Sequence, residues 1–165
     1  MESDNLILMT LRNTTLTEEL RDFEVEQLAN TIELREFKAG EQIISAQNPE
    51  LKCALLILCS GEIEANTKAE GEKVTRTIKE PGDLANIIGF VGGNVMEVTA
   101  TTVAKEDTLL LVMERVRFES LINTNPAIVY YVMRGITRYV HGIVRSINTQ
   151  SVEMSNYIHK TGGRY

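Results

Sequence analysis

The sequence predicts a mainly β domain of the sandwich, roll or barrel type, with helices at both ends. Many short apolar or alternating runs, broken by turn residues, lie between Ile32 and Val112. Helical spacing precedes this region, and a longer helical pattern follows Asn125-Pro126. With 165 residues, of which 43% are hydrophobic and 24% charged, the chain suits one soluble domain with its own core.

An N-terminal helix is predicted from Thr15 to about Asn30. Thr15-Leu16-Thr17-Glu18 has the capping-box pattern, in which the Thr hydroxyl accepts a backbone N–H and the Glu reciprocates. Apolar residues then recur at close to helical spacing, so one face is expected to dock on the rest of the domain. These residues are Leu16, Leu20, Phe23 and Leu28.

The central region is expected to form short antiparallel strands. The nearly continuous apolar run 54–58 ends at Ser60-Gly61, and residues 62–65 alternate as a half-buried partner strand does. The charged segment 68–73, which contains Gly71, is predicted to be a hairpin tip. The other predicted strands are 42–44, 74–78, 97–103 and 108–113. Strands this short and numerous favour a sandwich or roll over a parallel α/β sheet.

A long C-terminal helix is predicted for residues 127–148, opened by Pro126. Six apolar residues along it step by three or four, which is heptad spacing over about three heptads. They are Val129, Val132, Ile136, Val140, Ile143 and Ile147. The stripe fits a helix docked along its own sheet or a dimer seam, and the spacing alone favours neither. Residues 159–165 are expected to form a flexible tail.

Composition disfavours two classes of partner. The net charge of −6 argues against a nucleic-acid-binding surface, which needs a clustered basic face. No apolar stretch reaches the roughly 18 residues of a membrane span, and no signal peptide is recognisable. We therefore expect a cytoplasmic protein that binds neither nucleic acid nor membrane.

Metal or nucleophilic chemistry is not indicated by the sequence. Cys53 and Cys59 lie roughly 20 Å apart in an extended strand, so free thiols are expected. The two histidines, His141 and His159, lie near the C-terminus without a Cys or His neighbour close in sequence. We therefore predict no catalytic residue, no metal site and no cofactor. Acid-base chemistry by carboxylates is left open, because the 23 acidic residues offer no distinguishing pattern.

The order of helix, β-roll and long helix resembles the cyclic-nucleotide-binding domain of catabolite-activator-type regulators, protein kinase A regulatory subunits and gated channels. The matching segments are 37–44, 55–63, Pro81-Gly82-Asp83, Thr99-Ala100, 108–110, Phe118 and Asn125-Pro126. The resemblance implies a double-stranded β-helix, or jelly-roll, with an N-terminal helix and a long C-terminal helix. It also implies a homodimer whose interface is the long helix.

The resemblance divides the chain into an N-terminal segment with its helix over 1–31, a β-roll over 32–118, C-terminal helices with the dimer interface over 119–158, and the tail. Transcription regulators of this family carry a helix-turn-helix module after the long helix. Residues 150–165 are too few to form one, so no such module is expected in this chain.

The resemblance also assigns a phosphate-binding cassette to residues 82–104. In the family a Gly-Glu pair follows the Gly-Asp turn, the Glu binds the ribose hydroxyl, and an Arg binds the cyclic phosphate. Here the Gly and Glu positions hold Asn86 and Ile87, and the Arg position holds Val98. The remaining assigned positions are Gly82 and Asp83 in the turn, Thr99 beside the phosphate, and Ile143 and Val144 at the two base contacts.

The missing polar groups predict that the family's mode of binding cyclic AMP or cyclic GMP is lost. Removing one member of a buried charged pair costs about 3–5 kcal/mol, which corresponds to about two to three and a half decades in Kd. We therefore predict a non-catalytic regulatory domain that dimerises and acts through contacts with an unidentified protein partner.

Two alternative functions stay open. One is a sensor of cyclic nucleotides or another small anion with an altered cassette, anchored by Asn86, Thr99 and loop amides. The other is a small, cupin-like β-roll enzyme, although residues 32–113 contain no His that would serve as a metal ligand.

Two local features near the cassette also allow two interpretations each. Gly92-Gly93-Asn94 fits an anion-binding nest or, more simply, a tight turn. A set of apolar residues fits a ligand pocket or, as packing statistics favour, ordinary core. The members of this set are Ile87, Ile88, Phe90, Val91, Val98, Ile143 and Val144.

Overall fold

The described residues form an antiparallel β-sandwich of eight strands, with helices before and after the strands in the sequence, as predicted. The structure is a computed structural model that describes residues 1–69, 71–92 and 100–161. The strands are β1 (Ile32–Phe37), β2 (Gln42–Ile44), β3 (Ala54–Ser60), β4 (Ile63–Ala69), β5 (Glu72–Ile78), β6 (Leu84–Ala85), β7 (Ala100–Ala104) and β8 (Thr108–Glu114). They form two four-stranded sheets, in the orders β1-β8-β3-β6 and β2-β7-β4-β5.

Strand β3 is apolar on both faces because it is covered on both faces. Successive side chains of a strand point to opposite sides of the sheet. Leu55 and Ile57 pack with the helices, whereas Leu56 and Leu58 pack between the two sheets. All four are fully buried, and each contributes about 1.5–3 kcal/mol through removal of its apolar surface from water.

The hairpin of β4 and β5 has the predicted tip, since Lys68 pairs with Lys73 across the two strands. Along β5, the alternate residues Ile78, Arg76 and Val74 share one face. Ile78 is buried between the sheets, Arg76 is half-buried and Val74 is exposed. The side chains on this face are therefore increasingly exposed to solvent toward the hairpin tip.

The N-terminal region corrects the predicted helix from Thr15 to Asn30. The chain instead forms α1 (Glu2–Arg12), a 3-10 turn (Thr15–Thr17) and α2 (Asp22–Ala29). The Thr14 hydroxyl caps the short turn by accepting the Leu16 N–H, and Thr17 donates back to the Leu11 carbonyl. The N-terminus of α2 is capped later, where the Glu24 carboxylate accepts the Arg21 N–H at 2.9 Å.

The remaining helices are α3 (Ile87–Val91), α4 (Arg115–Glu119) and α5 (Pro126–Thr161), with a 3-10 turn (Ser120–Asn123) before α5. The helix α5 corrects the predicted end near residue 148, because it continues to Thr161 and is about 54 Å long. Residues 159–161 of the predicted tail are therefore helical, and residues 162–165 lie outside the described part of the chain. No helix in the described ranges is both long and apolar enough to cross a membrane.

The stripe of six apolar residues on α5 divides into two parts. Val132 and Ile136 are buried in the chain's own core and Val129 packs against it, so Val132 and Ile136 are not available to a second copy. Val140 and Ile147 are exposed, and Ile143 is half-buried. We call residues 126–139 the docked part of α5 and residues 140–161 the projecting part. The dimer seam stays a prediction, restricted to the projecting part.

The docked part is held closely against the N-terminal turn. A Cβ at Gly135 would lie 2.6 Å from the carbonyl oxygen of Thr15, so only glycine permits this approach. Arg134 and Arg138 each bind the Glu19 carboxylate, at 3.0 and 3.2 Å. These contacts fix the direction in which α5 leaves the domain.

Candidate functional site

The assigned cassette begins at a turn whose backbone is hydrogen-bonded to β3, in the sheet β1-β8-β3-β6. The Gly82 N–H donates to the Leu58 carbonyl at 2.7 Å, and the Leu58 N–H donates to the Asp83 carbonyl at 3.0 Å. Gly82 has φ +91° and lies against the Asn13 backbone, a conformation that favours glycine. Gly82 and Asp83 therefore set the position from which the cassette starts.

The surroundings of the Asp83 carboxyl group raise its pKa above the usual value. Partial burial raises its pKa, the positive charge of Arg76 lowers the pKa by a smaller amount, and the negative charge of Glu80 raises it further. Asp83 and Arg76 are thus close enough to interact electrostatically.

Asn86, which the resemblance assigns to the family's glycine position, has a structural role. Its backbone is left-handed, with φ 60° and ψ 34°, a region that Asn tolerates better than most residues. Its side-chain amide nitrogen donates to the carbonyls of Lys52 and Ala54, at 3.0 and 2.8 Å, and lies 3.3 Å from that of Leu51. The side chain therefore ties the start of α3 to the loop before β3. This use of the amide argues against Asn86 as a ligand anchor.

Ile87, which the resemblance assigns to the position of the ribose-binding Glu, begins α3. Its half-buried side chain packs against the apolar cluster formed by the helices and the outer face of β3. The rest of the predicted apolar set does not form one pocket in the described residues. Phe90 is core, 5.4 Å from Phe118 between ring centroids, whereas Ile88 and Val91 are exposed.

The two predicted base-contact positions lie on the projecting part of α5. Ile143 is half-buried and Val144 is 49% exposed. Val98 and Thr99 lie outside the described residues, as do Gly93 and Asn94. The nest or tight turn at Gly92-Gly93-Asn94 therefore stays a prediction.

A cluster that the sequence analysis missed joins the cassette to α5. Arg76 Nη2 donates to the Tyr139 hydroxyl at 2.6 Å, and Nη1 is 3.4 Å from the Leu84 carbonyl oxygen. The Leu84 N–H donates to the same hydroxyl at 3.2 Å, and the Arg76 guanidinium carbon lies 5.6 Å from the centre of the Tyr139 ring. We call Arg76, Leu84 and Tyr139 the Arg76 cluster.

Two sequence signals pointed toward this cluster. Arg76 interrupts the inner face of a strand whose next inward residue, Ile78, is apolar. Tyr139 follows Ile136 by three residues, so it lies on the docked face of α5. Neither signal identifies the partner, because Arg76 and Tyr139 are 63 residues apart.

The histidines and cysteines of the described residues form no catalytic arrangement that the geometry supports. His141 and His159 are exposed on α5. Cys53 and Cys59 are free and half-buried, and burial raises the pKa of the Cys59 thiol. In residues 1–69, 71–92 and 100–161, no three His, Cys, Asp or Glu side chains are grouped as metal ligands would be.

Comparison with known proteins identifies the family. The sequence profile of the cyclic nucleotide-binding domain matches residues 34–125, which is more than half of the chain. No curated protein sequence matches significantly.

Solved structures share the fold. A cyclic nucleotide-binding domain from Methylobacillus flagellatus is similar with a TM-score of 0.74, at 17% identity over 93% of this chain and 84% of that one. The Thermus thermophilus catabolite activator protein is similar with a TM-score of 0.63, at 24% identity over 84% of this chain and 63% of that one. The regulatory subunit of a cAMP-independent protein kinase A from Trypanosoma cruzi, bound to guanosine, is similar with a TM-score of 0.62, at 22% identity over 98% of this chain and 52% of that one.

Proposed function

Because the chain belongs to the cyclic nucleotide-binding domain family, we propose that it is a regulatory domain that has lost the family's mode of binding cyclic AMP and cyclic GMP. It acts as a homodimer, through contacts with another protein. The observation that carries the proposal is the packing of Ile87, the apolar residue that the resemblance assigns to the ribose-binding position, against the apolar cluster beneath the helices. The side chain of Asn86, its neighbour, is engaged with the loop before β3.

The energetic argument is one of missing partners. A ribose hydroxyl and a cyclic phosphate leave water when a nucleotide enters the cleft, and unpaired polar groups then cost free energy. Ile87 offers no acceptor to the hydroxyl, and the sequence places Val98 where the family has its Arg. A solved relative described as a cAMP-independent kinase regulatory subunit supports the proposal, because it indicates that the fold serves regulators of this kind.

The proposed dimer uses the projecting part of α5, over about 33 Å. Val140, Val144, Ile147 and Met154 are exposed there, and their spacings of four, three and seven residues continue one heptad stripe. A parallel coiled coil with a second copy would bury this stripe. A second copy of the chain is the favoured partner, because the projecting part continues the docked part in one helix and the packing of the docked part fixes the direction of that helix.

The proposal includes a cytoplasmic location and no catalysis. The solved relatives named above include a catabolite activator protein and a kinase regulatory subunit, which supports a regulatory role. The division into residues 1–31, 32–118 and 119–158 is kept as part of the proposal.

A second candidate is a sensor of another small anion. The observation that favours it is Arg76, a half-buried cation beside the start of the cassette.

Isothermal titration calorimetry with cyclic AMP and cyclic GMP tests the proposal. We expect no saturable heat at micromolar ligand for the natural chain, and restored binding for the double variant Ile87→Glu with Val98→Arg. The matched control is Ile88→Glu with Val98→Arg, which adds the same charges but places the carboxylate on an exposed neighbour. Stoichiometric micromolar binding by the natural chain would refute the proposal.

A further inference from the structure

We propose that Arg76 is the cation of an oxyanion-binding site at the start of the cassette, and that its ligand carries a phosphate group. The site differs from the assigned family site, because its cation lies on β5 rather than at position 98. It rests on the second candidate function above and names its ligand class, and it depends neither on dimerisation nor on the loss of cyclic nucleotide binding.

The position of Arg76 suits a buried anion partner. It lies on the inner face of β5, two residues from the buried Ile78 and two from the exposed Val74. Its guanidinium is therefore at the edge of the core, where water is partly excluded and hydrogen bonds are stronger than in bulk water. An anion can still approach from the side of Val74, where the face is open.

The acceptors that Arg76 reaches in the described residues are neutral. They are the Leu84 carbonyl oxygen, at the long distance of 3.4 Å, and the Tyr139 hydroxyl oxygen. A guanidinium has five N–H donors in a planar fork that matches two phosphate oxygens. Hydrogen bonds between two charged groups are about twice as strong as those between neutral groups. A phosphate group therefore competes well for the donors now shared with Tyr139.

A backbone donor lies close to the same cation. The Leu84 N–H donates to the Tyr139 hydroxyl, which is also the acceptor of Arg76. If an anion replaces that hydroxyl oxygen, it receives one N–H from the guanidinium and one from Leu84. Two donors of different origin, a side chain and a backbone amide, already converge on one oxygen atom.

Asp83 sets a limit on the affinity. Its carboxylate is near enough to interact with Arg76, and Glu80 adds negative charge next to it. Both carboxylates repel an anion. Since only two charge-assisted hydrogen bonds act against this repulsion, we expect a Kd on the order of millimolar for inorganic phosphate.

Titration with inorganic phosphate, followed through backbone amide NMR signals, tests the site. The probe is phosphate at constant ionic strength with chloride as the exchanged ion, which separates specific binding from salt effects. We expect saturable shifts at the amides of Leu84 and Gly82 in the natural chain. A parallel arm uses a nucleoside 5′-monophosphate: tighter binding than phosphate identifies a nucleotide ligand, and equal binding identifies recognition of the phosphate group alone.

Three variants decide whether Arg76 is the cation. Arg76→Gln is expected to weaken phosphate binding about tenfold or more. Tyr139→Phe is expected to strengthen it, because the phenol oxygen no longer competes for the guanidinium. Arg145→Gln, on the exposed projecting part of α5, removes the same charge elsewhere and is expected to leave binding unchanged.

The outcomes separate this proposal from the previous one. Absence of saturable shifts in the natural chain, or shifts that survive in Arg76→Gln, would overturn the anion site. The opposite direction expected for Tyr139→Phe keeps the test decisive if Arg76→Gln unfolds. Calorimetry with cyclic nucleotides tests the proposed loss of nucleotide binding, whereas the NMR titration tests phosphate binding at Arg76. Either proposal can therefore fail without deciding the other.

Discussion

Replacement of Asn86 by Ala tests the claim that this residue holds the cassette in place. Asn86 makes two side-chain hydrogen bonds of good length, to Lys52 at 3.0 Å and Ala54 at 2.8 Å. Loss of each is expected to cost about 1 kcal/mol. Ala also resists the left-handed backbone at φ 60°, at a further cost of about 1–2 kcal/mol. The predicted loss in the free energy of unfolding is about 3–4 kcal/mol.

Urea unfolding followed by circular dichroism measures this loss, at one protein concentration because a dimer would make stability depend on it. Asn86→Gly is the matched control, since glycine loses the two hydrogen bonds but accepts the left-handed backbone. It is expected to lose about 1–2 kcal/mol less than Asn86→Ala. A change below about 0.5 kcal/mol in Asn86→Ala, the range of ordinary surface substitutions, would refute the reasoning that makes this amide a structural tie.

Three further predictions address the docked helix, the cassette turn and the dimer. Gly135→Ala is expected to destabilise the domain by about 1–3 kcal/mol, because its Cβ would meet the Thr15 carbonyl. The control Gly142→Ala, which has open space around it, is expected to be neutral or slightly stabilising. Equal effects of the two substitutions in thermal melts would contradict the close approach. Asp83→Asn is expected to become more stable relative to the natural chain as pH rises above 3.8, the usual pKa of Asp. The raised pKa of Asp83 in the folded natural chain means that its folded state binds the proton more tightly than its unfolded state, so the natural chain loses stability as pH increases. Urea midpoints of the two proteins that stay parallel from acid to neutral pH would be the contrary result. Val144→Asp with Ile147→Asp is expected to give a monomer in sedimentation equilibrium while the unfolding of the β-roll changes little beyond the loss of association, and a natural chain that is already monomeric at tens of micromolar would exclude the seam.

The β-roll was predictable because its strands obey local rules. Alternation and turn residues located β2, β4 and β5, and the continuous apolar run of β3 has a direct physical cause in its burial on both faces. The short strand β6 was not predicted, since two residues carry no period. Its existence depends on pairing with β3.

The helix boundaries were less predictable, because tertiary contacts decide them. Thr15-Leu16-Thr17-Glu18 has a capping pattern, yet the chain forms one 3-10 turn there, with Thr17 bonded back to Leu11 in α1. The burial of Ile7 and Leu11 that stabilises α1 also requires the rest of the core. Neither the bond from Thr17 to Leu11 nor the packing of α1 on the core can be read from a short stretch of sequence.

The candidate site was half predictable. The resemblance assigned Asn86 and Ile87 to the cassette, and that assignment, with the altered cassette it implies, stays a prediction. The tie from Asn86 to the loop before β3 and the Arg76 cluster both join residues more than 30 positions apart. Such contacts arise from the closed fold and leave no spacing pattern in the sequence.

A titration with cyclic AMP, followed through the amide NMR signals of Gly82, Leu84 and Ile87, tests the central claim most directly because it reports where binding occurs. The account predicts that these signals do not shift at micromolar ligand in the natural chain. Saturable micromolar shifts centred on Ile87 would show that the cleft still binds the nucleotide in the family's way, and would contradict the account.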